Sequence, residues 1–325
     1  MAKKALIVSF SFEQEPEAFE ALRERGVEPI LLAESERKGW GQQELIDYWN
    51  ALPEKPEGIL MGADIEIGAP FTEQCEGLRY ISLNCAGCDH LDLPALERAG
   101  IVACNVPRQN FDAVADFAWG QILSLMRRIP QGDQNIRAGR WCEGVARGCA
   151  VSRKTLGILG LGAIGQGVMR RAQGFEMDVL AYDPYENAEL VEKYGVRYLP
   201  LQEVLTQSDI VVITCPLTDE THHLMNEKSL RSMKPQAFLV NCSRGPIVDT
   251  KALAKILREG KIAGAALDVY EEEPLLESEL FSLPNTVLTP HMAGLADREI
   301  HNVAMQSAYN MADLLEGKEV KSRLI

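Results

Sequence analysis

Short aliphatic runs recur through the first third of the chain, at ALIVSF (5–10), EPILLA (28–33), GILMG (58–62) and RYISL (79–83), with a further short run near 101–104. Between them, over 15–25, 42–51 and 70–77, apolar residues are spaced as on one face of a helix. Strands alternating with amphipathic helices predict βαβ units and a parallel sheet. A second series starts at KTLGILGLG (154–162) and continues through DVLAYD (178–183), IVVITC (210–215), AFLVNC (237–242), GAALDV (264–269) and TVLTP (286–290), and 295–316 reads as a helix. Between the series, FDAVADFAWGQILSLMRRI (111–129) is helical in pattern and closed by Pro130. It is too apolar for a solvated helix, which predicts burial in the core or at an interface. At about 100–200 residues per domain, 325 residues suggest two domains. The pattern therefore predicts an α/β protein of two doubly wound parallel-sheet units.

Composition narrows the function. Hydrophobic residues make up 46% and charged residues 25%, as expected of a chain that buries a real core. The formal net charge of -14 repels a polyanion over most of the surface, so nucleic acid is not an expected partner. No apolar stretch approaches the ~18 residues of a membrane span. MAKKALIVSF reads as a first strand rather than a signal peptide, because Glu13, Glu15 and Glu17 follow at once. The cytoplasm is the expected location, where the eight cysteines stay reduced. Cys85-Ala-Gly-Cys88 admits a zinc or redox reading, but no second CxxC or HxxxH supplies further ligands. A tight turn is the simpler reading, and no metal is expected.

The strand at 156–159 runs straight into Gly160-Leu-Gly162-Ala163-Ile164-Gly165, with a helix to follow. Gly160 allows a tight turn, Gly162 lets a pyrophosphate approach the backbone, and Gly165 lets the helix pack on the strand. Free N–H groups of the helix N-terminus then bind phosphate. The next strand ends at Asp183, 18 residues beyond Gly165, near the offset of about 20 expected of a ribose-binding acid. A carboxylate there repels a 2′-phosphate, and no arginine follows to offset it, so NAD is expected rather than NADP.

Three residues from the second series suit the chemistry of such a cofactor. Arg244 in NCSRG (241–245), Glu273 in DVYEEEP (268–274) and His291 in LTPH (288–291) each follow a predicted strand. Carboxyl ends of strands in an open α/β sheet face the ligand crevice, so the three should gather on one rim. Arginine presents a planar fork that matches a carboxylate. Histidine exchanges a proton near neutrality, and a neighbouring carboxylate favours its charged form and fixes the ring. The set suits hydride transfer between a nicotinamide and a small 2-oxo or 2-hydroxy acid.

NCSRGPIVD (241–249), ALDVYEEEP (266–274) and TPH (289–291), behind GLGAIG, resemble the D-isomer-specific 2-hydroxyacid dehydrogenases. The resemblance extends to NCAGCDHLDL (84–93), NVPRQNFDAVADFA (105–118) and PLTDETHHLMN (216–226), and so covers nearly the whole chain. It implies Arg244 as substrate binder, His291 as acid/base assisted by Glu273, and Asp268 as a contact of the nicotinamide carboxamide. It places Gly160, Gly162, Ala163, Ile164, Gly165, Asp183, Cys215, Pro216, Thr221, Cys242, Ser243, Asp268, His291 and Gly294 around the cofactor. Asn84, Cys85, Ala86 and Gly87, with Arg244, would bind the substrate carboxylate, the turn acting as an anion nest. It also revises the two-halves picture: a Rossmann NAD-binding domain (104–293) inserted into a flavodoxin-like substrate domain (1–103 and 294–325). A homodimer joined through 111–129 is implied.

Departures from the family pattern bear on the substrate. Phe111 stands where many members have threonine, Thr214 replaces a common histidine, and Ala296 a common threonine. Phosphoglycerate-using relatives carry arginines near Gly62 and Leu83, and this chain has none there. Small acids such as glyoxylate or hydroxypyruvate are therefore expected. The competing expectations are 3-phosphoglycerate dehydrogenase and an NAD(H)-sensing binding protein of the co-repressor kind.

Overall fold

The computed structural model describes residues 3–325; Met1 and Ala2, with which MAKKALIVSF begins, lie outside the described residues. The chain divides into two compact units, Met1–Asn110 with Leu295–Ile325, and Phe111–Gly294.

In the first unit five strands, β1 (Lys3–Val8), β2 (Val27–Leu31), β3 (Gly58–Met61), β4 (Tyr80–Leu83) and β5 (Val102–Cys104), form one sheet in the order β2-β1-β3-β4-β5. All neighbours are parallel, the flavodoxin-like arrangement. Central strands of such a sheet are covered on both faces and read as continuous apolar runs; Ala5, Leu6, Ile7 and Val8 are accordingly all fully buried. The helix Asp297–Glu316 returns to this unit and packs Ala304, Ala308, Met311 and Leu315 against Ala5, Ile7 and Leu60. β1 ends at Val8, two residues earlier than the apolar run suggests. The Ser9 hydroxyl accepts from Phe12 N at 3.4 Å and caps a short helix, Phe10–Glu13, that turns the chain out of the sheet.

The second unit holds β6 (Thr155–Leu159), β7 (Asp178–Tyr182), β8 (Arg197–Tyr198), β9 (Ile210–Ile213), β10 (Phe238–Asn241), β11 (Gly264–Leu267) and β12 (Thr286–Leu288). Their order is β12-β11-β10-β9-β6-β7-β8. The chain thus runs outward from β6 and returns to its other side at β9, which makes the β6/β9 boundary the switch point where such folds hold ligands. β8, two residues at the sheet edge, has no apolar run to announce it.

The apolar helix Phe111–Arg127 is buried along Ala115, Ala118, Ile122 and Leu125. Ala115 reaches the helix Ala163–Ala172 at Gly167, where an added Cβ would stand 2.8 Å from the Ala115 Cβ. Trp119 stacks on Phe175 with ring centroids 4.5 Å apart. The helix stops at Arg127, short of residue 129: Arg128 turns left-handed at φ 58. Pro130 then sits in the first turn of a new helix, Ile129–Arg137, where its missing N–H costs nothing. Pro130 opens a helix rather than closing one.

Candidate active site

At the switch point the loop after β6 lies against the loop after β9. Gly160 has φ +93, and an added Cβ would stand 2.6 Å from the Cys215 N and Cα. The Thr214 hydroxyl donates to the Gly160 carbonyl at 2.5 Å. Gly165 lies so close to the Gly160 carbonyl that a side chain would collide with backbone, and its Cβ would also meet Thr214 Oγ1 at 2.9 Å. At Gly162, by contrast, a Cβ would meet nothing within 4 Å. Two of the glycines therefore serve the fold, and the third leaves open space in front of a helix N-terminus. Gly162 caps the helix Ala163–Ala172, whose first N–H groups, on Ala163 and Ile164, have no partner within the helix and attract an anion.

Asp183, just beyond β7, accepts from Leu161 N at 2.6 Å and from Tyr185 N at 2.8 Å. It lines a cleft of about 460 Å³ with Leu161, Gly162, Gln166, Tyr185 and Asn187. Each carboxylate oxygen keeps a lone pair beyond its backbone contact, so the group can still accept from a ribose. Beyond β9, Thr221 Oγ1 donates to the Pro216 carbonyl at 2.7 Å and accepts from Thr218 N at 2.7 Å, shaping the loop that follows Cys215. The Ser243 hydroxyl donates to the Cys215 carbonyl, tying the end of β10 to the end of β9. Burial pushes the Cys215 thiol up to about 11 and the Cys242 thiol higher still, with the charges of Asp183 and Asp268 respectively adding to the effect. Neither is a thiolate near neutrality, so both shape the crevice rather than react.

Arg244, Glu273 and His291 all belong to the second unit and follow β10, β11 and β12. His291 Nδ1 lies 2.7 Å from Glu273 Oε2, while Glu273 Oε1 accepts from Tyr270 N at 2.9 Å. A carboxylate here only accepts, so Nδ1 carries a proton and Nε2 is the nitrogen left to exchange one. The Glu273 hydrogen bond raises the His291 pKa above its ordinary 6.5 against the opposing effects of burial and the Arg244 charge. Burial favours the protonated form of Glu273, but the hydrogen bond and charge of His291, with help from Tyr270 N–H and Arg244, hold its pKa below the usual carboxylate range. Electrostatically the three side chains form one group.

Arg244 is set by Ser243 and by two residues to which the sequence pattern gave no role, Asn241 and Gly245. Buried Asn241 donates from Nδ2 to the Arg244 carbonyl at 2.9 Å and accepts from Ser243 N at 3.0 Å. The Arg244 Nη1 donates to the Ser243 carbonyl at 2.8 Å. Gly245 packs so closely on the Tyr270 carbonyl that no side chain fits, which brings the arginine's turn beside the loop carrying Glu273. The glycine in NCSRG was the only signal of that approach. Asp268 is fully buried; its carboxylate accepts from Met292 N at 3.1 Å and Ala293 N at 2.8 Å, holding the loop that runs from His291 to Gly294.

The turn Asn84–Gly87 belongs to the first unit. Asn84 has no free amide to offer a ligand: Nδ2 donates to Ser9 Oγ at 3.0 Å and Ser11 Oγ at 2.8 Å, and Oδ1 accepts from Ser307 Oγ at 2.9 Å. Its N–H is also spent, on the Met61 carbonyl at 2.7 Å. Asn84 braces the turn. The Ala86 carbonyl accepts from Asn105 Nδ2 at 2.6 Å and the Cys85 carbonyl from Val106 N at 3.0 Å, so both are engaged within the first unit. His223 pairs with Glu271 at 2.7 Å and His301 with Glu15 at 2.9 Å. Among the described residues no group of three or more His, Cys, Asp or Glu could hold a metal ion.

A glycine cradle at a switch point, an acid at the next strand end and a histidine–carboxylate pair beside an arginine define a dinucleotide-dependent oxidoreductase of the α/β class. Residues 119–293 match the family described as D-isomer specific 2-hydroxyacid dehydrogenase, NAD binding domain. The chain is 43% identical over 291 residues to a glyoxylate reductase of Thermococcus kodakarensis, covering 84% of this chain and 87% of that one. A glyoxylate reductase of Pyrococcus horikoshii is 38% identical over the same length and coverage. The solved structure of D-lactate dehydrogenase from Aquifex aeolicus, complexed with NAD and lactic acid, superposes with a TM-score of 0.82 at 26% identity, over 96% of each chain. The chain belongs to the D-isomer specific 2-hydroxyacid dehydrogenase family. Its activity is NAD-dependent oxidoreduction of the 2-hydroxyacid dehydrogenase type, in preference to a non-catalytic NAD sensor or a phosphoglycerate enzyme. Among the described residues no helix is long and apolar enough to cross a membrane.

Proposed function

We propose that this enzyme reduces glyoxylate and similarly small 2-oxo acids with NADH, using His291 as proton donor, Glu273 as its partner and Arg244 as the substrate's cationic anchor. The 2.7 Å contact between His291 Nδ1 and Glu273 Oε2 carries the reading. It leaves a charged imidazole with Nε2 free to protonate the carbonyl oxygen as it gains negative charge. The Arg244 guanidinium stays charged and offers a bidentate match to the substrate carboxylate, polarising the adjacent carbonyl. Bound NADH supplies the hydride that reaches the C2 carbon. In the reverse direction the neutral His291 takes the hydroxyl proton.

The remaining roles follow the same reading. Gly160, Gly162, Ala163, Ile164 and Gly165 would cradle the pyrophosphate, and Asp183 would accept from the ribose. Cys215, Pro216, Thr221, Cys242, Ser243 and Gly294 would border the cofactor, with Asp268 near the carboxamide. With Asn84 bracing the turn, Cys85, Ala86 and Gly87 would contribute backbone amides to the substrate carboxylate. Residues 1–103 with 294–325 would act as the substrate domain and 104–293 as the cofactor domain. A cytoplasmic homodimer is the expected assembly; exposed Ile129, Ile136 and Trp141 beyond the apolar helix support a covered face.

NADH oxidation by the purified protein with glyoxylate, hydroxypyruvate, pyruvate and 3-phosphohydroxypyruvate tests the substrate. The first two are expected to give the highest kcat/KM. A preference for the phosphorylated acid would overturn the proposal, as would full activity of His291→Ala. Light scattering at defined concentration tests the dimer.

A further inference from the structure

The carboxylate of Asp268 is not the end of the network behind His291. Its Oδ1 accepts from the Thr289 hydroxyl at 2.6 Å, and that hydroxyl accepts in turn from Gln121 Nε2 at 2.7 Å. Gln121 lies on the helix Phe111–Arg127 and is only 3% exposed. The Thr289 proton goes to the nearer acceptor, the Asp268 carboxylate rather than the Leu267 carbonyl at 3.5 Å, which leaves the Thr289 oxygen to accept from the Gln121 amide. Hydrogen bonds chained in one direction polarise each other.

Thr289 also stands between the loops of both dyad members. Its carbonyl accepts from the Tyr270 hydroxyl at 2.9 Å, and Tyr270 N–H holds Glu273 Oε1 at 2.9 Å. Two residues on, His291 N–H donates to the Asp268 carbonyl at 2.7 Å, and the Asp268 carboxylate takes the next two N–H groups. These bonds enclose a backbone strain. His291 has φ +50, a left-handed conformation that a residue with a side chain keeps only where its surroundings over-determine it.

We propose that Gln121 and Thr289 are positioning residues for the dyad: from the helix Phe111–Arg127 they fix Asp268, and through it the left-handed backbone that aims His291 at Glu273. The kinetic consequence rests on the proposed role of His291 as proton donor; the geometric one does not. A packing role alone would be filled equally well by valine at 289 and leucine at 121.

The test compares full-length Thr289→Val, Thr289→Ser and Gln121→Leu with the unsubstituted protein, by glyoxylate kinetics and by NMR titration of the His291 ring. The resonance is assigned by its loss in His291→Asn. The ring faces Glu273, Asp268 and Arg244, none of which the variants alter. Thr289→Val is expected to lower kcat about tenfold or more, with KM changed less than about twofold. Its His291 titration should move down toward 6.5. Thr289→Ser should restore both readouts, and Gln121→Leu should shift them in the same direction by less. Gln121 lies on the same helix as buried Ala118, Ile122 and Leu125, so leucine there is expected to leave the fold intact even if Thr289→Val does not. A His291 titration in Gln121→Leu and any folded Thr289→Val that matches the unsubstituted protein overturns the proposal, whether or not glyoxylate is turned over. A shifted titration in a protein that never reduces glyoxylate upholds the positioning and sinks the substrate assignment instead.

Discussion

His291 Nδ1 and Glu273 Oε2 lie 2.7 Å apart, on two loops that follow adjacent parallel strands β11 and β12. The pairing raises the His291 pKa and lowers that of Glu273, and this sets a direction for the pH dependence of each reaction. With His291 as the proposed proton donor, reduction uses the imidazolium, so its rate should be full at low pH and fall as pH rises through the raised His291 pKa. Oxidation of the hydroxy acid uses the neutral ring and should rise over the same interval. In Glu273→Gln the charge that raises the pKa is gone, and the falling limb should move down toward 6.5. kcat/KM against pH for both proteins measures this. An unmoved limb in Glu273→Gln would mean that another group titrates.

The same pair ties folding stability to pH. A histidine with a raised pKa contributes stability that is fully present below its unfolded value and is lost as pH rises through the folded one. A carboxylate with a depressed pKa contributes stability above its unfolded value, lost as pH falls through the folded one. The difference in Tm between the unsubstituted protein and Glu273→Gln should therefore be largest between the two folded pKa values and shrink on either side. A pH-independent difference would show that the contact adds nothing through its charge.

Arg244 cannot be replaced by another cation without loss. Its guanidinium donates to the Ser243 carbonyl and its backbone carbonyl is held by Asn241, and lysine offers a point charge in place of a fork. Arg244→Lys should reduce kcat/KM for glyoxylate by about 10²-fold or more and leave the KM for NADH nearly unchanged. Steady-state kinetics with each substrate varied separately decides it. Equal damage to both KM values would place the arginine against the cofactor instead.

Asp183 holds Leu161 N and Tyr185 N while lining the cleft beside Gly162. A 2′-phosphate brought there would meet an uncompensated negative charge. Asp183→Ser removes that repulsion together with a ribose acceptor. NADH efficiency should fall and NADPH efficiency rise, narrowing their ratio by about tenfold or more. A ratio of kcat/KM values that stays constant would show that the acid serves only its two backbone partners.

Much of this molecule was readable before folding. Runs such as IVVI and FLVN are strands because a covered parallel sheet makes every position apolar, and the glycine spacing after β6 announced its own turn. Arg244, Glu273 and His291 were legible as candidates because each lies in the loop that follows such a run. What was hidden depends on contacts between distant segments. Gly245 could be seen as a glycine but not as the point where Tyr270 passes. Asn84 read as part of an anion-binding turn, yet its N–H goes to Met61 and its side chain to Ser9, Ser11 and Ser307. Gln121 is one polar residue in an apolar helix, and only the fold shows that Thr289 lies opposite. β8 and the break at Arg128 were missed because a two-residue edge strand and a single left-handed residue leave no periodic trace.

Two glycines of one loop separate folding from binding. Gly160 has φ +93, and its Cβ would lie 2.6 Å from backbone atoms of Cys215, which cannot yield as a flexible side chain would. Gly160→Ala should cost more than ~2 kcal/mol of stability, a fall in Tm of roughly 5 °C or more, measured without nucleotide. Gly162 has φ -69, and its Cβ would meet nothing within 4 Å. Gly162→Ala should leave Tm unchanged within about 1–2 °C. The added methyl would nevertheless stand where the pyrophosphate must approach the backbone, so the KM for NADH should rise about tenfold or more. The two variants should thus fail in opposite assays. If Gly162→Ala binds NADH normally, the open space in front of the helix Ala163–Ala172 is not where the phosphates rest.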